Sequence, residues 1–135
     1  MPFLRTKVSY NGRLEQPLSS GDGFVGNPAP YSKSSDADQI LTPDIVGGGF
    51  VIQVGTLTAK RALTFPAAVD LLASFPSMNV GDTFPFVLSN GNTANFNVWI
   101  ANGTGMTKAG LAEVAYHSSR TFLIEKTSET TVVLY

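Results

Sequence analysis

A chain of 135 residues with one histidine, no cysteine and nine basic against ten acidic side chains has no thiolate and no disulfide framework, and its net charge of −1 offers no field for holding a nucleic-acid backbone. Hydrophobic residues make up 43% of the sequence and charged ones only 14%, against about a quarter in an average soluble domain, so the surface is filled by hydroxyl and amide groups or lies against another molecule. No run approaches the ~18 apolar residues of a membrane span, and the opening Met1-Pro2-Phe3-Leu4-Arg5 lacks a signal-type apolar stretch, which predicts synthesis in the cytoplasm and no membrane partner.

From Phe3 to Tyr10 apolar and polar residues alternate as in a short strand, and Asn11-Gly12 supplies a turn. Between Ser19 and Asp38 lie Gly21, Gly23, Gly26, Pro28, Pro30 and several serines, the composition of an extended segment. Residues 1–38 are therefore expected to form an N-terminal arm, with a β domain over 39–135. Phe3, Leu4, Tyr10, Phe24 and Tyr31 are apolar groups on an arm without a core of its own, so another surface is expected to cover them, which marks them as interface residues. Residues 1–35 carry net +2 and residues 36–135 net −3, a slight asymmetry that suits an arm lying against an acidic neighbour.

Thr42-Pro43-Asp44 reads as a capped helical turn stopped by Gly47-Gly48-Gly49. Phe50, Ile52 and Val54 then share one fully apolar face of a strand, and Leu63 and Phe65 share a face in the next. Pro66 to Phe75 is the expected helix, with Ala68, Leu71, Leu72 and Phe75 on one stripe. Asn79-Val80-Gly81-Asp82 turns into a strand carrying Phe84, Phe86 and Leu88 on one side, and Pro85 within it suggests an edge or a bulge. Asn90-Gly91-Asn92 predicts a hairpin to Ala94–Ala101, which places Phe96, Val98 and Ile100 opposite Asn95, Asn97 and Trp99. Further strands are expected around Val114, over Arg120 to Lys126 and over Thr130 to Tyr135. Short strands punctuated this regularly predict an all-β fold: a jelly-roll-like sandwich or barrel with one short inserted helix.

Groups able to do chemistry are few. His117 stands beside Ser118, but neighbours on a strand point to opposite faces, so the pair cannot act as nucleophile and base and His117 reads as a loop residue. Asp36, Asp38 and Asp44 lack the spacing and closing glutamate of a calcium loop and read as a solvated acidic stretch. Asn102-Gly103-Thr104-Gly105-Met106-Thr107 lacks the lysine and following helix of a phosphate loop and reads as a β-turn. No catalytic residue, metal site or cofactor is expected. Trp99 is the outstanding side chain: on the outer face of a strand, a large aromatic suggests either a subunit contact or a platform on which a sugar ring stacks.

Leu41-Thr42-Pro43, Gly47-Gly48-Gly49, Leu63-Thr64-Phe65-Pro66, Val80-Gly81-Asp82-Thr83-Phe84, Asn102 to Thr107, Arg120-Thr121-Phe122 and the closing Thr130-Thr131-Val132-Val133-Leu134-Tyr135 follow one another in an order that resembles the β domain of tailed-bacteriophage head decoration (cement) proteins and head fibres. The resemblance spans residues 38–135 and rests on turn and strand patterns. It implies a homotrimer on the exterior of a virion, bound to the major capsid protein, with no enzymatic residues. A virion fibre or tail module binding a host receptor or carbohydrate through Trp99 is the alternative.

Overall fold

The structure, a computed structural model, describes residues 30–135, so Phe3, Leu4, Tyr10, Phe24 and most of the expected arm lie outside the described residues. The chain opens with strands β1 (Tyr31–Lys33) and β2 (Gln39–Ile40), helix α1 (Pro43–Gly47), and strands β3 (Phe50–Gln53) and β4 (Arg61–Thr64). Helix α2 (Ala68–Ala73) precedes β5 (Thr83–Asn90), β6 (Val98–Ala101), β7 (Met106–Lys108), β8 (Glu113–Val114), β9 (Ser118–Lys126) and β10 (Val132–Leu134). These strands form a six-stranded sheet in the order β1-β3-β5-β9-β10-β7 and a four-stranded sheet in the order β2-β4-β6-β8. The all-β expectation is met, with two short helices: α1 where the sequence predicts a capped helical turn and α2 where it predicts a helix.

The path of the chain is a winding from sheet to sheet. Strands β1, β3 and β5 stack in parallel in the large sheet while β2, β4 and β6 stack in parallel in the small one, so each pass through both sheets adds one rung. Val51 lies beside Leu88 in one sheet and Leu63 beside Ile100 in the other, the same separation along the chain in both. Only β5–β9, β9–β10 and β6–β8 pair antiparallel. A jelly roll is built from antiparallel Greek keys; this winding differs from it because from β1 to β9 each strand leaves the sheet of the one before, and only β9 and β10 turn back beside each other.

The arch between β5 and β6 shows why. Asn90-Gly91-Asn92 makes no hairpin: among the described residues the glycines with positive φ are Gly49, Gly55, Gly81 and Gly105, not Gly91, whereas a two-residue type I′ turn needs φ > 0 at both central positions. Gly91 and Thr93 instead donate their N–H groups to the carbonyls of Gln53 and Gly55, each at 2.8 Å, so this arch stacks on the one before it. Lys33, Gln53 and Asn90 occupy equivalent positions in three rungs and are all buried. The Lys33 Nζ donates to Gln53 Oε1 at 3.0 Å and to the Ser35 carbonyl at 2.7 Å. Asn90 Nδ2 donates to the carbonyls of Phe96 and Val114, and Asn92 Nδ2 to Asn90 Oδ1 at 2.6 Å. Buried amides so closely satisfied fix the bend of the arch, since any other path would strand them.

One core lies between the sheets. Val51, Phe86, Leu88, Phe122, Ile124, Val132 and Leu134 of the large sheet meet Leu63, Val98, Ile100 and Val114 of the small one, and α1 and α2 close it with Val46, Ala68, Leu71 and Leu72. Phe65 meets Phe86 edge-on at 5.1 Å between ring centroids. Helix α1 starts as its sequence dictates, with Thr42 Oγ1 accepting from the Ile45 N–H and Pro43 at the first position. In β3 the apolar expectation is reversed: Val51 and Gln53 face the core, while Phe50 and Ile52 face outward. Pro85 sits inside a central strand, which the edge rule did not foresee. Leu123, its partner across the ladder, exchanges both of its backbone hydrogen bonds with Tyr135, so the Pro85 nitrogen has no donor to supply, and β3 runs only alongside Val87 to Asn90. Tyr31, assigned above to the arm, belongs to the six-stranded sheet, packs on the core, and accepts from Gln39 Nε2 at 2.9 Å through its hydroxyl.

Candidate functional site

Alternation along each strand sorts the six-stranded sheet into a core face and an outer face. With Phe86, Leu88, Phe122, Ile124, Val132 and Leu134 turned inward, the outer face carries Phe50, Ile52, Pro85, Val87, Leu123, Val133 and Tyr135 among Thr and Ser side chains. Pro85, Leu123 and Tyr135 form one row across three neighbouring strand positions, and Phe50, Val87 and Thr121 form another. Leu123 is 45% exposed, Tyr135 54% and Phe50 38%. The only charged side chain among the strand residues of this face is Glu125, and it accepts from the Tyr135 hydroxyl at 2.7 Å. That hydrogen bond and the adjacent negative charge raise the Tyr135 pKa. Alternation alone does not single out this surface, because in β3 the fully apolar pair Phe50 and Ile52 is the one that faces outward.

A second feature lies on the other sheet. Val98 and Ile100 are buried, so Trp99 between them points away from the core, as expected, and is half-buried. It is the floor of a groove of about 330 Å³ lined also by Lys60, Lys108, Leu111, Ala112 and Glu113. The ammonium groups of Lys108 and Lys60 stand 5.3 and 6.0 Å from the indole ring centroid, within reach of the negative face of the ring. Glu113 accepts from Asn97 Nδ2 and, at 2.9 Å, from Lys60 Nζ, and these two hydrogen bonds hold its carboxyl below the usual range. Lys108 donates to the Ile100 carbonyl at 2.7 Å and has no carboxylate partner among the described residues. Of these neighbours none was legible beforehand, because they come from the loop before β4, the end of β7 and the start of β8.

The remaining candidates resolve into structural roles. His117 is an exposed turn residue with φ 58° whose N–H donates to the Asn90 carbonyl at 2.7 Å, and its ring lies 5.1 Å from that of Tyr116. Asp36 and Asp38 are not merely solvated: Asp36 accepts from the Thr58 N–H and hydroxyl and from Arg61 Nε, and Asp38 from the Ala62 N–H, so both bind the first rung to the second. The Asn102 to Gly105 turn is packed backbone to backbone on the segment before α2, where a Cβ on Gly103 would lie 2.2 Å from the Pro66 carbonyl oxygen. Among the described residues no group of three or more His, Cys, Asp or Glu side chains could hold a metal ion, and no helix is long and apolar enough to cross a membrane. Comparison with protein-family models, with curated proteins and with solved structures finds no match in any of the three.

Proposed function

We propose that the chain is a non-enzymatic structural protein of a virus particle, a capsid decoration protein that binds and stabilises the shell exterior as a homotrimer with the major capsid protein as its partner. The observation that carries this reading is the outer face of the six-stranded sheet, where Phe50, Leu123 and Tyr135 stand exposed around a single charged side chain. Exposed apolar surface gathered on one face and poor in charge is the composition of an interface centre. The charge-poor sequence as a whole points the same way. The trimer and the capsid surface come from the resemblance of the turn and strand motifs to head decoration proteins and head fibres. A symmetric trimer gripping a shell at several points gains avidity from effective concentration, so each contact can be modest.

Sedimentation of the full chain tests the assembly. A trimer at micromolar concentration is expected, and Leu123→Asp should dissociate it while leaving the far-ultraviolet circular dichroism of the β fold unchanged. A wild-type monomer under the same conditions would overturn the proposal.

A second reading is favoured by a specific observation, the Trp99 groove. An outward indole bordered by two ammonium groups and a carboxylate suits a module that recognises a carbohydrate on a host or on another particle component. The Trp99 groove uses no residue of the outer face of the six-stranded sheet, so the two readings are compatible in one molecule.

A further inference from the structure

Resting on that second reading, we infer that the Trp99 groove takes an acidic sugar residue, a pyranose bearing a carboxylate, as one unit of a glycan. The reasoning starts from the balance of charge in the groove. Lys60 is neutralised by Glu113 at 2.9 Å, and Glu113, held ionised by Asn97 and Lys60, accepts no more positive charge than it already has. Among the described residues Lys108 is left over: its one hydrogen bond there is to the Ile100 carbonyl, which leaves ammonium protons for an anion. The groove thus carries one uncompensated positive charge beside an aromatic plane.

Shape and polarity narrow the ligand further. At about 330 Å³ the groove lies at the small end of ligand clefts, which run from about 300 to 1,000 Å³, so it suits one or two rings rather than a long chain. The indole offers a flat apolar surface to the C–H face of a pyranose, and Leu111, 71% exposed among the described residues, stands as an apolar wall. The free oxygen lone pairs of Glu113 accept ring hydroxyls, and Lys108 receives the carboxylate in a charge-assisted hydrogen bond. A neutral sugar leaves Lys108 without a partner. A bare phosphate leaves Trp99 and Leu111 without one.

Trp99 is the only tryptophan in the sequence, so its fluorescence reports on the groove directly. Wild-type protein is titrated with a tetrasaccharide of galacturonic acid, with a neutral galactose tetrasaccharide, and with inorganic phosphate. Saturable change with the acidic tetrasaccharide, at least about tenfold tighter than with the neutral one, is expected. Lys108→Gln, which keeps a donor for the Ile100 carbonyl, should erase that tenfold preference, and Leu111→Asp, at an exposed position, should weaken the acidic ligand more than the neutral one. Equal affinity for the two tetrasaccharides overturns the acidic specificity and leaves the carbohydrate reading standing. Saturation by phosphate as tight as by the acidic tetrasaccharide overturns it in favour of a simple anion site. No saturable change with any of the three overturns both.

Discussion

Glycines in this chain differ in what they tolerate, and two of them in neighbouring loops make the point. Gly103 lies where the turn after β6 presses on the segment leading into α2, so a Cβ there would stand 2.2 Å from one carbonyl oxygen and 2.4 Å from another, both backbone and unable to move aside. Around Gly110 there is nothing within 4 Å. Gly103→Ala is expected to cost about 3 kcal/mol in urea unfolding, whereas Gly110→Ala should fall within about 0.5 kcal/mol of the wild type. Asp36 is a second informative residue. Its hydrogen bonds from the Thr58 hydroxyl and N–H, and then the Arg61 guanidinium, hold its carboxyl down to about 2. Because the folded pKa lies below the unfolded value of 3.8, the stabilisation from Asp36 is complete above that value and is lost as the pH falls toward 2. The stability difference between wild type and Asp36→Asn should therefore be present at pH 5 and shrink steadily as the pH falls through about 2. Comparing the variant with the wild type isolates this contribution from that of Glu113, which shifts in the same direction. A carboxyl carbon shift of Asp36 with a midpoint near 4 would contradict the assignment.

Among the elements, β3 decides how the sheet face is to be understood. Its four residues alternate, and either face has enough apolar character to be buried: Phe50 and Ile52 on one, Val51 and Gln53 on the other. The smaller pair goes inside because Gln53 is anchored there, donating through Nε2 to the Lys33 and Val54 carbonyls and accepting from Lys33 Nζ. A one-residue slip would expose this network and bury Phe50 in its place. Val51→Ala is therefore expected to lower the stability of the fold by about 2 kcal/mol, while Phe50→Ser should leave it almost unchanged and weaken self-association instead. Chemical unfolding at low protein concentration and sedimentation separate the two effects. If Phe50→Ser proved the more destabilising in the monomer, the inward face would be wrongly assigned.

At the scale of the whole molecule, the winding leaves one sheet face covered by the core and the other poor in charge and partly apolar. An assembly through that face links folding to association, so the thermal midpoint should rise with protein concentration in the wild type and become independent of it in Leu123→Asp. The same architecture separates the two proposed surfaces. The outer face of the six-stranded sheet, proposed for contact with other protein, and the Trp99 groove, proposed for a small ligand, share no residue, so substitutions on one are expected to leave the other intact.

Only local structure is legible from the order of residues. The cap at Thr42, the stripe of Ala68, Leu71 and Leu72, the turn at Gly81, the inward pairs Phe86 with Leu88 and Phe122 with Ile124, and the closing strand all follow from backbone stereochemistry and period, which depend on nearest neighbours. The choice of strand partners was decided only by the tertiary structure. Asn90-Gly91-Asn92 is compatible with a hairpin and with an arch, and the difference is that the Gly91 N–H finds the Gln53 carbonyl on the previous rung, a partner far away in sequence. The same holds for the groove: Trp99 could be placed outward by alternation, but Lys60, Lys108, Leu111 and Glu113 come together around it only because β4, β6 and β8 pair side by side and β7 ends against them. Alternation gives each strand its faces, and burial of backbone hydrogen bonds across long separations selects which faces meet.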